Sequence, residues 1–295
     1  MDASDINRSI FNQEAADYDN KHRKLNDRLT REIQARLDFI AVDWVSDDED
    51  SDEEVEEGGE GNKPRREVRL LDYACGTGMI SRALAPYTTQ CVGMDISENM
   101  VAAYNARAEM QGLSRSEMHA IVGDLASPTV SDDLMSEDLS NFDIAVVGGG
   151  FHHFGDPELA AKRLVERLKP GGVLLVWDFL PHGPPPSSSS SSHGHEHEHG
   201  HSHNHHHHNN SQSNVFHSVM HHGFSKERIR EIFISAGAGT DYALEVVGGG
   251  LAFASGHGHG HEEGLREVVD QSEKESGENR GFRREVFFAR GTKAL

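Results

Sequence analysis

A glycine-rich turn between an apolar run and a helical pattern constrains the fold of this chain more than any other feature. Residues 68–73 have the pattern of a buried strand, residues 74–78 are Ala-Cys-Gly-Thr-Gly, and a helical pattern begins at residue 79. Such a strand, tight turn and helix place backbone N–H groups at a ligand, and glycine permits close approach of the main chain. The sequence therefore predicts an open α/β sheet with a ligand at this turn.

Aspartates at the ends of three predicted strands indicate what the ligand is. Asp72 lies within the first strand, Asp95 ends the second one 23 residues later, and Asp124 follows the strand over 118–122. A carboxylate at the end of the second strand can accept hydrogen bonds from both hydroxyls of a ribose. A carboxylate after the third strand can accept one from an adenine amine. The spacing favours a nucleoside site, although an aspartate taken alone is more often a turn or helix-cap residue.

The turn by itself leaves two kinds of nucleoside cofactor open. A nicotinamide dinucleotide site requires a third small residue at position 81, and Ser81 fits that pattern only loosely. The turn also lacks Lys and Arg, which suits a cofactor without phosphate. An NAD(P)-dependent oxidoreductase therefore remains the alternative enzyme at this point.

The strand and turn resemble motif I of the class I S-adenosylmethionine (SAM) dependent methyltransferases. Asp72 is followed by Ala74, Gly76 and Gly78, with Ala74 in place of the family's usual first glycine. Residues 142–157 resemble motif IV, an apolar strand that leads to a His-His loop and an Asp-Pro helix start. The Lys-Pro-Gly-Gly turn at 169–172 is a further similarity. These matches keep their order over about 70–180.

The resemblance implies a doubly wound, Rossmann-like α/β sheet of seven strands, with helices on both faces and an N-terminal helical cap over 1–45. It further implies that SAM is the cofactor and that a methyl group passes by direct displacement to a small-molecule acceptor. Residues 11–19 resemble the lead-in of the quinone-ring branch, where the tyrosine closes the cofactor site. The implied cofactor-binding residues are Tyr18, Asp72, Ala74, Gly76, Gly78, Asp95, Ile96, Met100, Asp124, Leu125 and Gly148.

Two adjacent histidines are the candidates for a general base. His152 and His153 follow the fourth strand, at the edge where ligands of open α/β sheets bind. A base is needed if the acceptor is a phenol, a hydroxyl or a protonated amine, and histidine has a suitable unperturbed pKa. The alternative is that both are loop histidines beside the cofactor. His221 and His222 are similar candidates with less support.

Charge and histidine are concentrated in segments that interrupt the α/β pattern. The net charge is −21, and residues 46–60 alone contain ten acidic and no basic side chains. Ten of the 21 histidines lie between residues 193 and 208. We predict solvated, disordered insertions at 46–62 and 181–214 around a core over 63–180, and a Gly/His/Glu-rich loop at 255–281 within the C-terminal part, 215–295. The histidines could chelate Zn²⁺, Ni²⁺ or Cu²⁺, so a metal-binding or interaction protein on this scaffold is the non-enzyme alternative. We assign no metal site.

The remaining composition limits the partners and the compartment. An acidic chain repels phosphates, which argues against nucleic acid and anionic membranes as partners. The N-terminal residues lack the pattern of a secretory signal, and no apolar run is long enough to span a bilayer. With only two cysteines, Cys75 and Cys91, the sequence predicts a reducing, cytoplasmic or nuclear setting. Protein partners are unknown, and a basic protein partner is the alternative interpretation of the acidic run at 46–62.

Overall fold

The computed structural model describes residues 2–45, 66–182, 218–247, 251–253 and 282–295. The predicted acidic insertion and most of the two histidine-rich segments lie outside these residues.

A seven-stranded sheet forms the centre of the described structure. In chain order its strands are β1 (Arg69–Tyr73), β2 (Gln90–Asp95), β3 (Met118–Val122), β4 (Phe142–Gly148), β5 (Leu168–Phe179), β6 (Thr240–Val246) and, after a separate hairpin, β9 (Val286–Thr292). The spatial order is β3-β2-β1-β4-β5-β9-β6. Strands β1 to β5 pair in parallel, and β9 is antiparallel to both of its neighbours. The order reverses direction between β1 and β4, which is where open α/β sheets bind ligands.

Helices cover both faces of this sheet. They are α1 (Ala3–Glu14), α2 (Tyr18–Gln34), α3 (Leu37–Ile40), α4 (Met79–Leu84), α5 (Glu98–Met110), α6 (Pro157–Arg167) and α7 (Lys226–Ala236). Apolar side chains of α6 and α7 pack with Leu71 and Ala145 on one face of the sheet. Those of α2 to α5 pack with Leu70 and Ile144 on the other. Alternate residues of a buried strand face opposite layers, which explains the continuous apolar runs of the sequence. The predicted doubly wound sheet with an N-terminal helical cap is confirmed.

Two details differ from the sequence prediction. Strand β5 begins at Leu168 and so includes the predicted turn at 169–172, which is accommodated as a register shift against β4, with Gly171 at a φ of 77°. A short second sheet pairs β7 (Leu251–Phe253) with β8 (Phe282–Arg284). Three-residue strands carry too little alternation for a sequence pattern to identify them.

Candidate functional site

A cavity of about 340 Å³ opens at the carboxyl ends of β1, β2 and β4, and helix α1 forms one of its walls. It brings together most of the residues that the resemblance assigned to a cofactor, and also one of the two candidate bases. Those that line it are Tyr18, Ala74, Gly76, Asp95, Ile96, Met100, Asp124, Gly148 and His153. The sequence therefore located a real concavity, at the point where the strand order reverses.

The glycine-rich turn curves through left-handed backbone conformations. Gly76 and Gly78 have φ angles of 51° and 89°. A side chain on Gly78 would also collide with the Tyr104 ring, since a Cβ there would lie 2.6 Å from Cδ2. Ala74 has a φ of 55°, a conformation that costs a residue with a Cβ roughly 1–2 kcal/mol. This cost explains why glycine is usual at that position in the family the motif resembles.

The Asp95 carboxylate is held by two backbone groups at the end of β2. The Gly76 N–H donates to its Oδ2 at 2.8 Å, and the Ser97 N–H donates to its Oδ1 at 2.9 Å. Burial raises the pKa of Asp95, and these hydrogen bonds oppose the rise. Ser97 caps α5 by accepting from the Met100 N–H. The turn and the start of α5 thus fix this carboxylate at the cavity wall.

The Asp124 carboxylate is surrounded by donors from three parts of the chain. Its Oδ1 accepts from the N–H groups of Ala126 and Ser127 and from the Tyr73 hydroxyl, which lies 3.2 Å away. The Ser4 hydroxyl, on α1, donates to its Oδ2 at 2.7 Å. Tyr73 in turn accepts from the Leu125 and Ala126 N–H groups, and burial raises its pKa well above the ordinary value. Sequence reasoning missed Tyr73, which lines the cavity beside Asp124.

Helix α1 contributes four residues to the cavity that the sequence did not single out, namely Ala3, Ser4, Asn7 and Phe11. Ser4, Asn7 and Phe11 recur at steps of three and four residues, so they share one face of the helix. The Asn7 side-chain N–H donates to the His153 carbonyl oxygen at 2.9 Å. The Phe11 ring packs edge-on against the His153 ring, with the centroids 5.2 Å apart. The spacing of these three residues was the available signal, but it resembles that of any helix face.

Helix α2 is fixed to the glycine-rich turn through the residue after Tyr18. Asp19 accepts from the Thr77 hydroxyl at 2.5 Å, and its other oxygen lies 2.8 Å from Nε of Arg107 on α5. These bonds hold Tyr18 at the cavity, where burial raises its pKa to about 12. The Tyr18 hydroxyl is consequently protonated at neutral pH.

Four of the predicted site residues do not line the cavity. Asp72 is buried beneath the turn, where its Oδ2 accepts from the Ser81 N–H and hydroxyl at 3.1 and 2.7 Å. Burial raises its pKa to about 7, against the effect of the two bonds from Ser81. Gly78 precedes α4, and Leu125 is fully buried in the core. His152 is the fourth.

The two neighbouring histidines have different environments. The His152 ring nitrogen Nδ1 lies 2.8 Å from the fully buried carboxylate of Asp178, at the end of β5. The His153 nitrogen Nδ1 lies 2.9 Å from the carbonyl oxygen of Ser218. Burial, together with the neighbouring His152, lowers the pKa of His153 to about 3. The ring of His153 is therefore neutral at physiological pH, and it is the histidine that reaches the cavity.

Neither a metal cluster nor a membrane span is found within the residues described. No group of three or more His, Cys, Asp or Glu side chains there could hold a metal ion. No helix there is both long and apolar enough to cross a bilayer. Cys75 and Cys91 are both free and buried.

Known proteins resemble the part of the chain that builds this cavity. Residues 71–176 match a family described as "Methyltransferase domain". An uncharacterised methyltransferase of Schizosaccharomyces pombe is 36% identical over 117 residues, 39% of this chain and 40% of that protein. A ubiquinone biosynthesis O-methyltransferase of a Caulobacter species is 28% identical over 121 residues, 41% of this chain and 44% of that protein. The matches thus span about two fifths of the length of these curated relatives.

A solved structure extends the likeness of fold to nearly the whole chain. A chain of the complex that contains the Haloferax volcanii Trm112 methyltransferase activator aligns with a TM-score of 0.52 and 15% identity. The alignment covers 97% of this chain and 98% of that one. The matched segment contains the strands whose order reverses at the cavity. Residues 71–176 therefore match a methyltransferase domain in sequence and lie on a Rossmann-like α/β sheet.

Proposed function

We propose that this chain is a SAM-dependent methyltransferase that acts on a small-molecule acceptor. The observation that carries the proposal is the pair of fixed carboxylates, Asp95 and Asp124, which line one cavity with Gly76 of the turn. Bound SAM would supply a methyl group on a positively charged sulfur, already activated for displacement by a nucleophile.

The residues of the cavity fit that cofactor. Asp95 is placed to accept from the ribose hydroxyls through the lone pairs that its two backbone donors leave free. Asp124 is placed to accept from the adenine amine in exchange for the Ser4 hydroxyl. The turn at Ala74–Gly76 and the backbone at Gly148 would line the amino-acid portion. The described lining residues contain no Lys or Arg, which agrees with a ligand of net positive charge and does not favour a dinucleotide diphosphate.

The chain's contribution to the reaction is mainly alignment. Tyr18, Asn7 and Phe11 close the cavity on the side of the N-terminal helices and exclude water. Holding a nucleophile and a methyl carbon in line can lower a barrier by roughly 7–11 kcal/mol without further chemistry. His152 is engaged by Asp178 outside the cavity, so of the two candidate bases only His153 remains near an acceptor.

Calorimetric titration of the full chain with SAM and with NADH tests the proposal. We expect SAM or S-adenosylhomocysteine to bind and NADH not to bind. Replacing Asp95 with alanine should weaken SAM binding by roughly tenfold or more, because a buried hydrogen-bonding group loses its partner. Asp27→Ala is the matched control, since Asp27 is exposed on α2 away from the cavity. Binding of NADH without SAM would refute the proposal, and unchanged affinity in Asp95→Ala would remove the ribose assignment.

A further inference from the structure

Part of the cavity lining is not assigned to the cofactor. It includes Asn7 and Phe11 of α1, His153 and Phe154 after β4, and Leu159 of α6. Contacts join the first three, because Asn7 donates to the His153 carbonyl oxygen and the Phe11 ring packs against the His153 ring. Three of these five are apolar, and the two polar side chains, Asn7 and His153, are 7% and 8% exposed. These residues give the cavity a mostly apolar wall with two polar groups, the candidate acceptor chamber.

The side-chain oxygen of Asn7 is a hydrogen-bond acceptor without a donor among the described residues. The side-chain nitrogen donates to the His153 carbonyl oxygen, and because a carbonyl only accepts, this bond fixes which end of the amide is the oxygen. The oxygen Oδ1 is buried and has no hydrogen-bond partner among the described residues. A buried acceptor without a donor is unfavourable, so a ligand that brings an N–H or O–H is favoured here.

His153 presents a second acceptor. Its Nδ1 lies against the Ser218 carbonyl oxygen and must therefore carry the hydrogen. Burial keeps the ring neutral, since the pKa is lowered to about 3. The other nitrogen, Nε2, is then an unprotonated acceptor, and no bond from the described part of the chain reaches it.

The charges around the cavity all have one sign. Four aspartates line it, namely Asp2, Asp95, Asp124 and Asp156, and the described lining includes no Lys or Arg. An anionic nucleophile such as a phenolate would be destabilised here, whereas a nucleophile that becomes positively charged would be stabilised. A histidine with a pKa of about 3 is also too weak a base to remove a phenol proton.

We propose that the methyl acceptor is a primary arylamine, which is neutral at physiological pH, held by the Asn7 side-chain oxygen and by Nε2 of His153. This inference rests on the function proposed above and names its acceptor class. The two N–H groups of such an amine match the two unpartnered acceptors and leave the nitrogen lone pair for the methyl carbon. A hydroxyl has one hydrogen to donate and would leave one acceptor without a donor.

The transfer balances without a base in the cavity. The amine lone pair forms the new N–C bond while the C–S bond breaks, and its electron pair stays on sulfur as a neutral thioether. The positive charge moves from sulfur to nitrogen, close to the carboxylates that line the cavity. The ammonium product then loses a proton to solvent water after it leaves the chamber.

A matched pair of probes tests the acceptor class. The full chain, saturated with S-adenosylhomocysteine, is titrated calorimetrically with para-ethylaniline and with para-ethylphenol, which differ only in the polar group. We expect the amine to bind about tenfold more tightly, as one additional hydrogen bond to a buried group implies. With methyl-labelled SAM, the product should be N-methylated. Equal binding, tighter binding of the phenol, binding of neither probe or an O-methylated product would overturn the proposal.

A pair of variants assigns the preference to Asn7. Asn7→Leu should abolish the tenfold difference between the probes. Asn99→Leu is the control. The Asn99 side-chain N–H also donates a hydrogen bond to α1, to the Asn12 carbonyl oxygen at 2.8 Å, but Asn99 lies outside the cavity. Asn99→Leu should keep the preference, and an unchanged preference in Asn7→Leu would refute the assignment. Failure of S-adenosylhomocysteine to bind the wild-type chain would instead refute the proposed function.

Discussion

At the scale of single residues, neighbours in the sequence have separate roles because the fold turns them in different directions. Asp72 and Tyr73 are consecutive in β1, so their side chains face opposite layers of the sheet. Asp72 reaches Ser81 beneath the turn, and Tyr73 reaches the cavity. The motif identified the strand, but the alternation was needed to decide which side chain faces the ligand.

The lowered pKa of His153 predicts how the free energy of unfolding changes with pH. This pKa is about 3 in the folded chain and near 6.5 when unfolded, so below about pH 6.5 the unfolded chain binds a proton that the folded chain does not. Stability attributable to this residue is therefore present above pH 6.5 and is lost as the pH falls. Between pH 7.5 and 5, the wild type should lose about 2 kcal/mol more unfolding free energy than His153→Gln.

Urea denaturation of both proteins at the two pH values measures that difference. Every other titrating group is common to the two chains, so the contributions that do not depend on His153 cancel in the comparison. An identical loss of stability in the wild type and in His153→Gln would show that the His153 ring is not kept neutral by the fold.

The sequence predicted much of the site at this scale, for a physical reason. Asp95 and Asp124 follow parallel strands, whose carboxyl ends meet at one edge of the sheet. Ser4 and Asn7 could not be assigned in the same way. Their partners, Asp124 and His153, lie 120 and 146 residues away, and no local pattern encodes contacts of that separation.

At the scale of elements, helix α1 is bound to the sheet mainly by polar contacts. Only Asn7 and Ile10 of its twelve residues are buried. Near its C-terminal end, Asn12 accepts from the Ser97 hydroxyl and from the Asn99 N–H, so α1 is joined to the start of α5. A helix with so little buried apolar surface contributes more to the wall of the cavity than to the core.

Removal of residues 2–14 tests whether α1 contributes more to the cavity wall than to the core. We expect SAM affinity to fall by about tenfold or more, because Ser4, Asn7 and Phe11 leave the cavity wall, while the remaining chain still unfolds cooperatively. Calorimetry and thermal denaturation measure the two effects. Arg8→Ala is the control, since its ion pair with Glu98 is about half exposed and such pairs contribute little. Undiminished affinity in the truncated chain would show that α1 is not part of the site.

At the scale of the whole molecule, a compact sheet carries a long segment between β5 and α7. Residues 183–217 lie outside the described structure, and the backbone on either side of them is paired. The His182 N–H donates to the His222 carbonyl oxygen at 3.1 Å, and the Phe224 N–H to that of Phe179 at 2.9 Å. The backbone that precedes the segment therefore pairs with backbone that lies a few residues beyond its other end. Composition indicated where this segment begins, but not how its ends pair.

Deletion of residues 187–208 distinguishes the enzyme from the metal-binding alternative. The described cavity takes no lining residue from that range, and Ser218, which holds His153, is retained. SAM affinity, measured calorimetrically, should change by less than about twofold. The corresponding change in binding free energy is smaller than the contribution of one hydrogen bond. Loss of SAM binding on deletion would contradict the proposed independence of the two parts.

The contact between Ser4 and Asp124 makes recognition at this carboxylate an exchange reaction. The oxygen Oδ2 already accepts from the Ser4 hydroxyl in the structure described here. A ligand donor that displaces this hydroxyl replaces one hydrogen bond with another, so its net enthalpic gain is small, whereas a wrong ligand leaves Asp124 satisfied by Ser4. Selectivity for the adenine base would then arise from shape and stacking. The Asp124 carboxylate would exchange its hydrogen bond between Ser4 in the free protein and the ligand in the complex.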